Sequence, residues 1–94
     1  MKIPKHLKIC GMDFKVRLEK APMLNDDRPC AGYIQQDYGL IVLEEDMHPD
    51  RQGQALFHEI IHALDAREEL NEGKTEALAR GIYQVLKDNH LLRE

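Results

Sequence analysis

Residues 58–62 read His-Glu-Ile-Ile-His and place two imidazoles at positions i and i+4 within a helical pattern. On an α-helix that spacing is about 40° of rotation and roughly 6 Å of rise, so both rings project from one face and reach the same small ion. Neutral imidazole suits Zn²⁺, and the carboxylate between the rings stands beside the ion without being needed to bind it. Glu59 is then placed to take a proton from an attacking water.

The helix opens near His48-Pro49-Asp50, where proline suits the first turn and an acidic residue suits the positive end of the helix dipole. Relative to His58, residues Leu56, Ile60, Ala63 and Leu64 fall on the far side with Phe57 on a flank. Arg51, Ala55, His62 and Asp65 fall on the near side. One face is thus expected to pack on a core while the other presents the histidines. A pair of core histidines would sit among the apolar residues, and these do not.

Zinc held by two histidines needs a third protein ligand and keeps a fourth position open for water. Glu68 stands where the metzincin pattern has its third histidine and Asp65 where that pattern has glycine, which disfavours that class. Residues Glu69-Leu70-Asn71-Glu72-Gly73 end the first helix and permit a reversal. Thr75 to Asp88 is again helical, with Leu78, Ile82, Val85 and Leu86 as its expected buried stripe. Glu76 lies in its first turn, away from that stripe, and an antiparallel connection brings it back over the histidines as the leading third ligand. His48, Asp65, Glu69, Glu72 and His90 remain rivals; Asp65 has the further option of orienting His62 from behind. The plain reading of Glu76 is a surface glutamate favoured by the dipole.

A chain of 94 residues supports one compact domain over residues 1–94 with one modest core. No run approaches a membrane span, and Met1-Lys2-Ile3-Pro4-Lys5-His6 lacks the apolar core of a signal peptide, so the expected location is cytoplasmic, away from membranes. Residues 1–20 hold six basic and two acidic residues, against 7 basic and 15 acidic in the remainder. The basic residues alternate with apolar ones along an apparent strand, which reads as a solvated face and not as a nucleic-acid surface. Cys10 and Cys30 form no C-x-x-C or zinc-ribbon spacing and are expected to be reduced, partly buried thiols.

Ahead of the metal helix the pattern is β-like. Leu7 to Met12 and Phe14 to Leu18 flank Met12-Asp13 and predict a hairpin. Residues 21–32 are a loop by composition. Tyr33-Ile34-Gln35-Gln36, an edge strand by its glutamines, turns at Asp37-Tyr38-Gly39 into the apolar interior strand Leu40-Ile41-Val42-Leu43. An edge strand offers backbone groups with which an extended peptide can pair. The expected fold is α+β: a small twisted antiparallel sheet of three to four strands packed against the metal-binding helix and the following Glu76 helix.

From Leu40 through Asn89 the chain resembles small gluzincin zinc metallopeptidases, in particular the ImmA/IrrE-like proteins of phages and mobile elements and the minimal minigluzincins. The resemblance rests on His58-Glu59-Ile60-Ile61-His62-Ala63-Leu64 and on Thr75-Glu76-Ala77-Leu78-Ala79-Arg80-Gly81-Ile82-Tyr83. It implies a zincin-like fold, Zn²⁺ on His58, His62 and Glu76, Glu59 as the catalytic carboxylate, and hydrolysis of peptide bonds in a cytoplasmic protein, in some members a repressor. The chain departs from the large members in its shorter gap between His62 and Glu76 and in lacking their lower subdomain. Tyr83, seven residues after Glu76 and on the same face, is the candidate oxyanion donor, with Tyr33 and Tyr38 as alternatives and packing as its plainer role. Arg80 is expected to pair with Glu76 within the helix. The competing expectation is a regulatory protein of the same origin whose zinc is structural or vestigial; a metal-dependent nuclease is disfavoured because phosphoryl transfer favours carboxylate-rich, often two-metal sites.

Overall fold

The computed structural model describes residues 1–23 and 30–92. Four strands, β1 (His6–Ile9), β2 (Met12–Glu19), β3 (Gly32–Gln35) and β4 (Leu40–Glu44), precede two helices, α1 (Pro49–Leu64) and α2 (Glu72–Asp88). The fold is α+β, and among the described residues no helix is long and apolar enough to cross a membrane. Half of the loop expected at 21–32, residues 24–29, lies outside the described residues; on either side of it, Cys30 N–H donates to Pro22 O at 2.9 Å.

The first hairpin forms, but its turn is Cys10-Gly11 and not Met12-Asp13. Both turn residues have positive φ, 51° and 80°, the requirement of a two-residue hairpin whose twist matches its strands. Met12 pairs with Ile9 and Asp13 with Lys8, so the expected turn residues open β2. Cys10 is consequently exposed, while Cys30 is half-buried, and both thiols are free.

The sheet is mixed, in the order β1-β2-β4-β3, and not wholly antiparallel. β4 runs antiparallel to β3 and parallel to β2. The reason is the composition of β4. Ile41, Val42 and Leu43 are fully buried, so this strand needs cover on both faces and a neighbour on both edges. Inserting β4 between β2 and β3 supplies those neighbours and leaves β3, with Gln35, at the rim. The short 3-10 turn Gln36–Tyr38 links the two, ending on Gly39 at φ 61°. A Cβ at Gly39 would lie 2.5 Å from Asp13 O, so no larger residue fits where this turn comes down beside β2.

Phe14, Val16, Ile41 and Leu43 project from one face of the sheet and close a core with Leu56 of α1; Ile60 and Ala63 pack against it. The expected inward face of α1 is realised except for Leu64, which is 57% exposed at the helix end. α2 differs more. Its buried residues are Thr75, Ala79 and Tyr83, while Leu78, Ile82 and Val85 face solvent. α2 docks on α1 and not on the sheet, so the face it buries is the one that fits a helix. The Tyr83 ring fills a notch at Gly53, where a Cβ would lie 2.3 Å from Tyr83 Cε1. Tyr83 Oη donates to Asp50 Oδ1 at 2.9 Å, and Lys87 pairs with the same oxygen.

Gly53→Ala should lower stability by about 1 kcal/mol or more in urea denaturation, despite alanine's better helix propensity, because the Tyr83 ring must move. Hydrogen bonds from Lys87 and then Tyr83 hold the Asp50 carboxyl below its ordinary value of 3.8. Its contribution is therefore present above the unfolded value and lost as pH falls through the lower folded one. Asp50→Asn should melt below wild type at neutral pH, and the two melting temperatures should converge in strong acid.

Candidate metal centre

α1 is started by His48, whose Nδ1 accepts the Asp50 N–H at 3.1 Å, with Pro49 as its first residue. Ten residues on, the His58 and His62 side chains project together, 15% and 28% exposed. Their Nε2 atoms approach to 3.0 Å. The chain then reverses through Asp65, whose two carboxylate oxygens accept the N–H groups of Glu69 and Leu70 at 2.9 and 3.0 Å. Asp65 therefore shapes the connection, and its oxygens are committed to backbone. Asn71 caps α2 by accepting the Lys74 N–H at 2.8 Å.

That cap starts α2 at Glu72, three residues before the expected Thr75, and so swings a different carboxylate onto the imidazoles. Glu72 oxygens lie 2.8 Å from His62 Nε2 and 3.2 Å from His58 Nε2. One donor each from His58, His62 and Glu72 falls within a mutual 4.8 Å. Glu76, expected as the third ligand, sits one turn further on, with Oε2 2.8 Å from Nδ1 of His58 and Oε1 accepting Arg80 Nε at 3.0 Å. The Arg80 pair thus forms as expected. Burial pushes the Glu76 carboxyl up, but the hydrogen bonds with His58 and Arg80 outweigh it and hold the group below its usual range.

The arrangement is one of three donor groups backed by a hydrogen-bonding carboxylate. A proton on His58 Nδ1 directed at Glu76 leaves Nε2 with its lone pair, the form in which imidazole binds metal. Two ring nitrogens this close cannot both present lone pairs to each other without a proton or a cation between them. A divalent cation satisfies both rings and the Glu72 carboxylate at once, and two nitrogens with one carboxylate are a zinc donor set. The residues present therefore fit the metal.

Glu59 is 6% exposed beside this cluster. Burial pushes its carboxyl up to about 7; His58 opposes the rise, while the charges of Glu72 and Glu76 add to it. It lines two adjoining clefts, one of about 200 Å³ shared with Arg51, His58 and Glu76, and one of about 330 Å³ shared with His58, His62 and Glu72. β3, the rim strand, forms a wall of the second cleft through Gly32, Tyr33 and Ile34. The edge expected to face a peptide thus adjoins the cluster.

Tyr83 is not brought here. It lines neither cleft, and its hydroxyl is engaged by Asp50 at the other end of the helix pair. Of the remaining rivals, His48 caps the far end of α1 and His90 follows the far end of α2. Glu72 was legible only as one rival among several; the signal that singles it out is Asn71 as a helix cap directly before it.

Zinc titration by calorimetry distinguishes the two glutamates. Glu72→Ala should weaken zinc binding more than Glu76→Gln, whose loss should stay within roughly 10–100-fold, the range for a group that orients a ligand. The reverse order would make Glu76 the third donor. Comparison of the chain with protein-family models, with curated proteins and with solved structures returned no match.

Proposed function

We propose that this chain is a zinc-dependent endopeptidase of gluzincin type, with a minimal zincin-like fold, acting on a protein substrate in the cytoplasm. The observation that carries the reading is the convergence of His58 Nε2, His62 Nε2 and a Glu72 oxygen beside the buried carboxyl of Glu59. Among the described residues this group has three members, the number that leaves a coordination position for water. His58, His62 and Glu72 would hold the metal, and Glu76 would keep His58 in the correct tautomer. When bound, zinc supplies Lewis acidity that makes water a nucleophile near neutral pH and stabilises negative charge on a carbonyl oxygen.

The chain's own residues perform the rest. An extended substrate pairs with the open edge of β3, which sets its scissile carbonyl over the cluster. One oxygen of Glu59 accepts the proton of the attacking water as the new C–O bond forms. Glu59 then returns that proton to the amide nitrogen as the C–N bond breaks, so the carboxylate is regenerated. Tyr83 has no part in this scheme; its role is to seat α2. Tyr33, on the strand that walls the cleft, is the remaining tyrosine near the reacting groups. A repressor is the substrate type to test first, on the resemblance alone.

Glu59→Gln is the deciding variant. It should retain stoichiometric zinc by elemental analysis and lose at least about 100-fold in peptide cleavage, the scale of general acid–base help. A variant that cleaves like wild type removes Glu59 from the mechanism. Wild-type protein that binds zinc and cleaves nothing across a peptide library would favour the regulatory reading.

A further inference from the structure

The face of α2 turned away from α1 is apolar. Leu78, Ile82 and Val85 recur there at helical spacing and are 44%, 40% and 49% exposed. Gly81 lies among them, and a Cβ built on it would meet nothing within 4 Å. Together with Ala77 these residues line a shallow groove of about 370 Å³, which includes none of the metal-centre residues. A helix apolar on two sides is normally covered on both, and a contiguous aliphatic patch of this kind marks an interaction surface.

The charges beside the stripe say what covers it. Lys74 and Asp88 stand on the same flank, at its two ends, each seven residues from Gly81. Fourteen residues are close to four full turns, which returns the second side chain to nearly the same bearing as the first. A two-fold axis perpendicular to α2 exchanges its ends while keeping each flank on its own side. The Lys74 end of one copy then lies against the Asp88 end of the other. With the axis between Gly81 and Ile82, Leu78 faces Val85 of the second copy, and Ile82 enters the notch above Gly81. The helix is self-complementary in shape, in apolar pattern and in charge, and antiparallel helices also oppose their dipoles. Asp88 accepts a hydrogen bond from Gln84 at 3.0 Å within its own exposed turn, a contact weak enough to be exchanged.

We propose that this face of α2 is a homodimer interface: two copies of the chain pack α2 on α2, antiparallel, about a two-fold axis beside Gly81. The contact is isologous, so it closes at two subunits. It leaves the metal centres outside the interface, and it does not rest on the proteolytic reading.

Sedimentation velocity on the full chain over a range of concentrations tests it. Wild type should dimerise, and Ile82→Glu should be monomeric throughout with an unchanged circular dichroism spectrum. Lys74→Glu and Asp88→Lys, both exposed surface changes, should each weaken the dimer by roughly fivefold or more, since each alters two symmetry-related pairs. The double variant should recover most of that loss. A wild-type chain that stays monomeric to roughly 100 μM, a dimer that survives Ile82→Glu, or a double variant no tighter than the single ones would overturn the proposal. Monomeric wild type would also redirect the surface to a different protein.

Discussion

The antiparallel seating of α2 on α1 is the constraint on which both the fold's second layer and the candidate centre depend. At one end a single aromatic ring occupies the space of a missing side chain, Tyr83 against Gly53, with Asp50 binding its hydroxyl. At the other end two carboxylates meet two imidazoles. The middle is made of small residues, Thr75 and Ala79, which let the helix backbones approach. Neither end is a conventional aliphatic core. The pairing is set by shape and polar complementarity, and that is why the helix turns its aliphatic side outward.

Gathering Glu59, Glu72 and Glu76 around two histidines carries an electrostatic cost. Burial is the main force that pushes the Glu59 carboxyl up, and the neighbouring charges of Glu72 and Glu76 add to it. Glu76 escapes because Arg80 and His58 bind it. The cluster thus sets a buried carboxyl pushed up to about 7 beside a Glu76 carboxyl held below its usual range. A cation among the two imidazoles and Glu72 would reduce the repulsion felt by all three acidic groups, and would thereby couple its own binding to the integrity of this end of the helix pair.

The sheet contributes position more than chemistry. β4 is the spine because its side chains are buried on both faces, and that centrality pushes β3 to the rim beside α1. The parallel β2–β4 pairing was not legible from residue patterns, since alternation reports which face a side chain takes and not which strand lies beside it. The Cys10-Gly11 turn was missed for a more local reason. Both Gly11 and Asp13 are turn-forming residues in an otherwise β-like stretch, and composition does not say which of them turns; the positive φ that Cys10 and Gly11 adopt decides it.

His58, Glu59 and His62 were determined by the sequence itself, because four-residue spacing on a helix has only one geometric meaning. So were the edge character of β3, the interior character of β4 and the start of α1 at Pro49, each of which follows from local composition and backbone preference. What only the tertiary structure decided was which carboxylate meets the rings and which side of α2 is buried. Both depend on the angle and depth at which one helix docks on another, set by Asn71, Asp65, Gly53 and Tyr83 acting together across distant positions. Hydrophobic periodicity identifies a helix's apolar side; it does not say whether that side meets its own chain or something outside it.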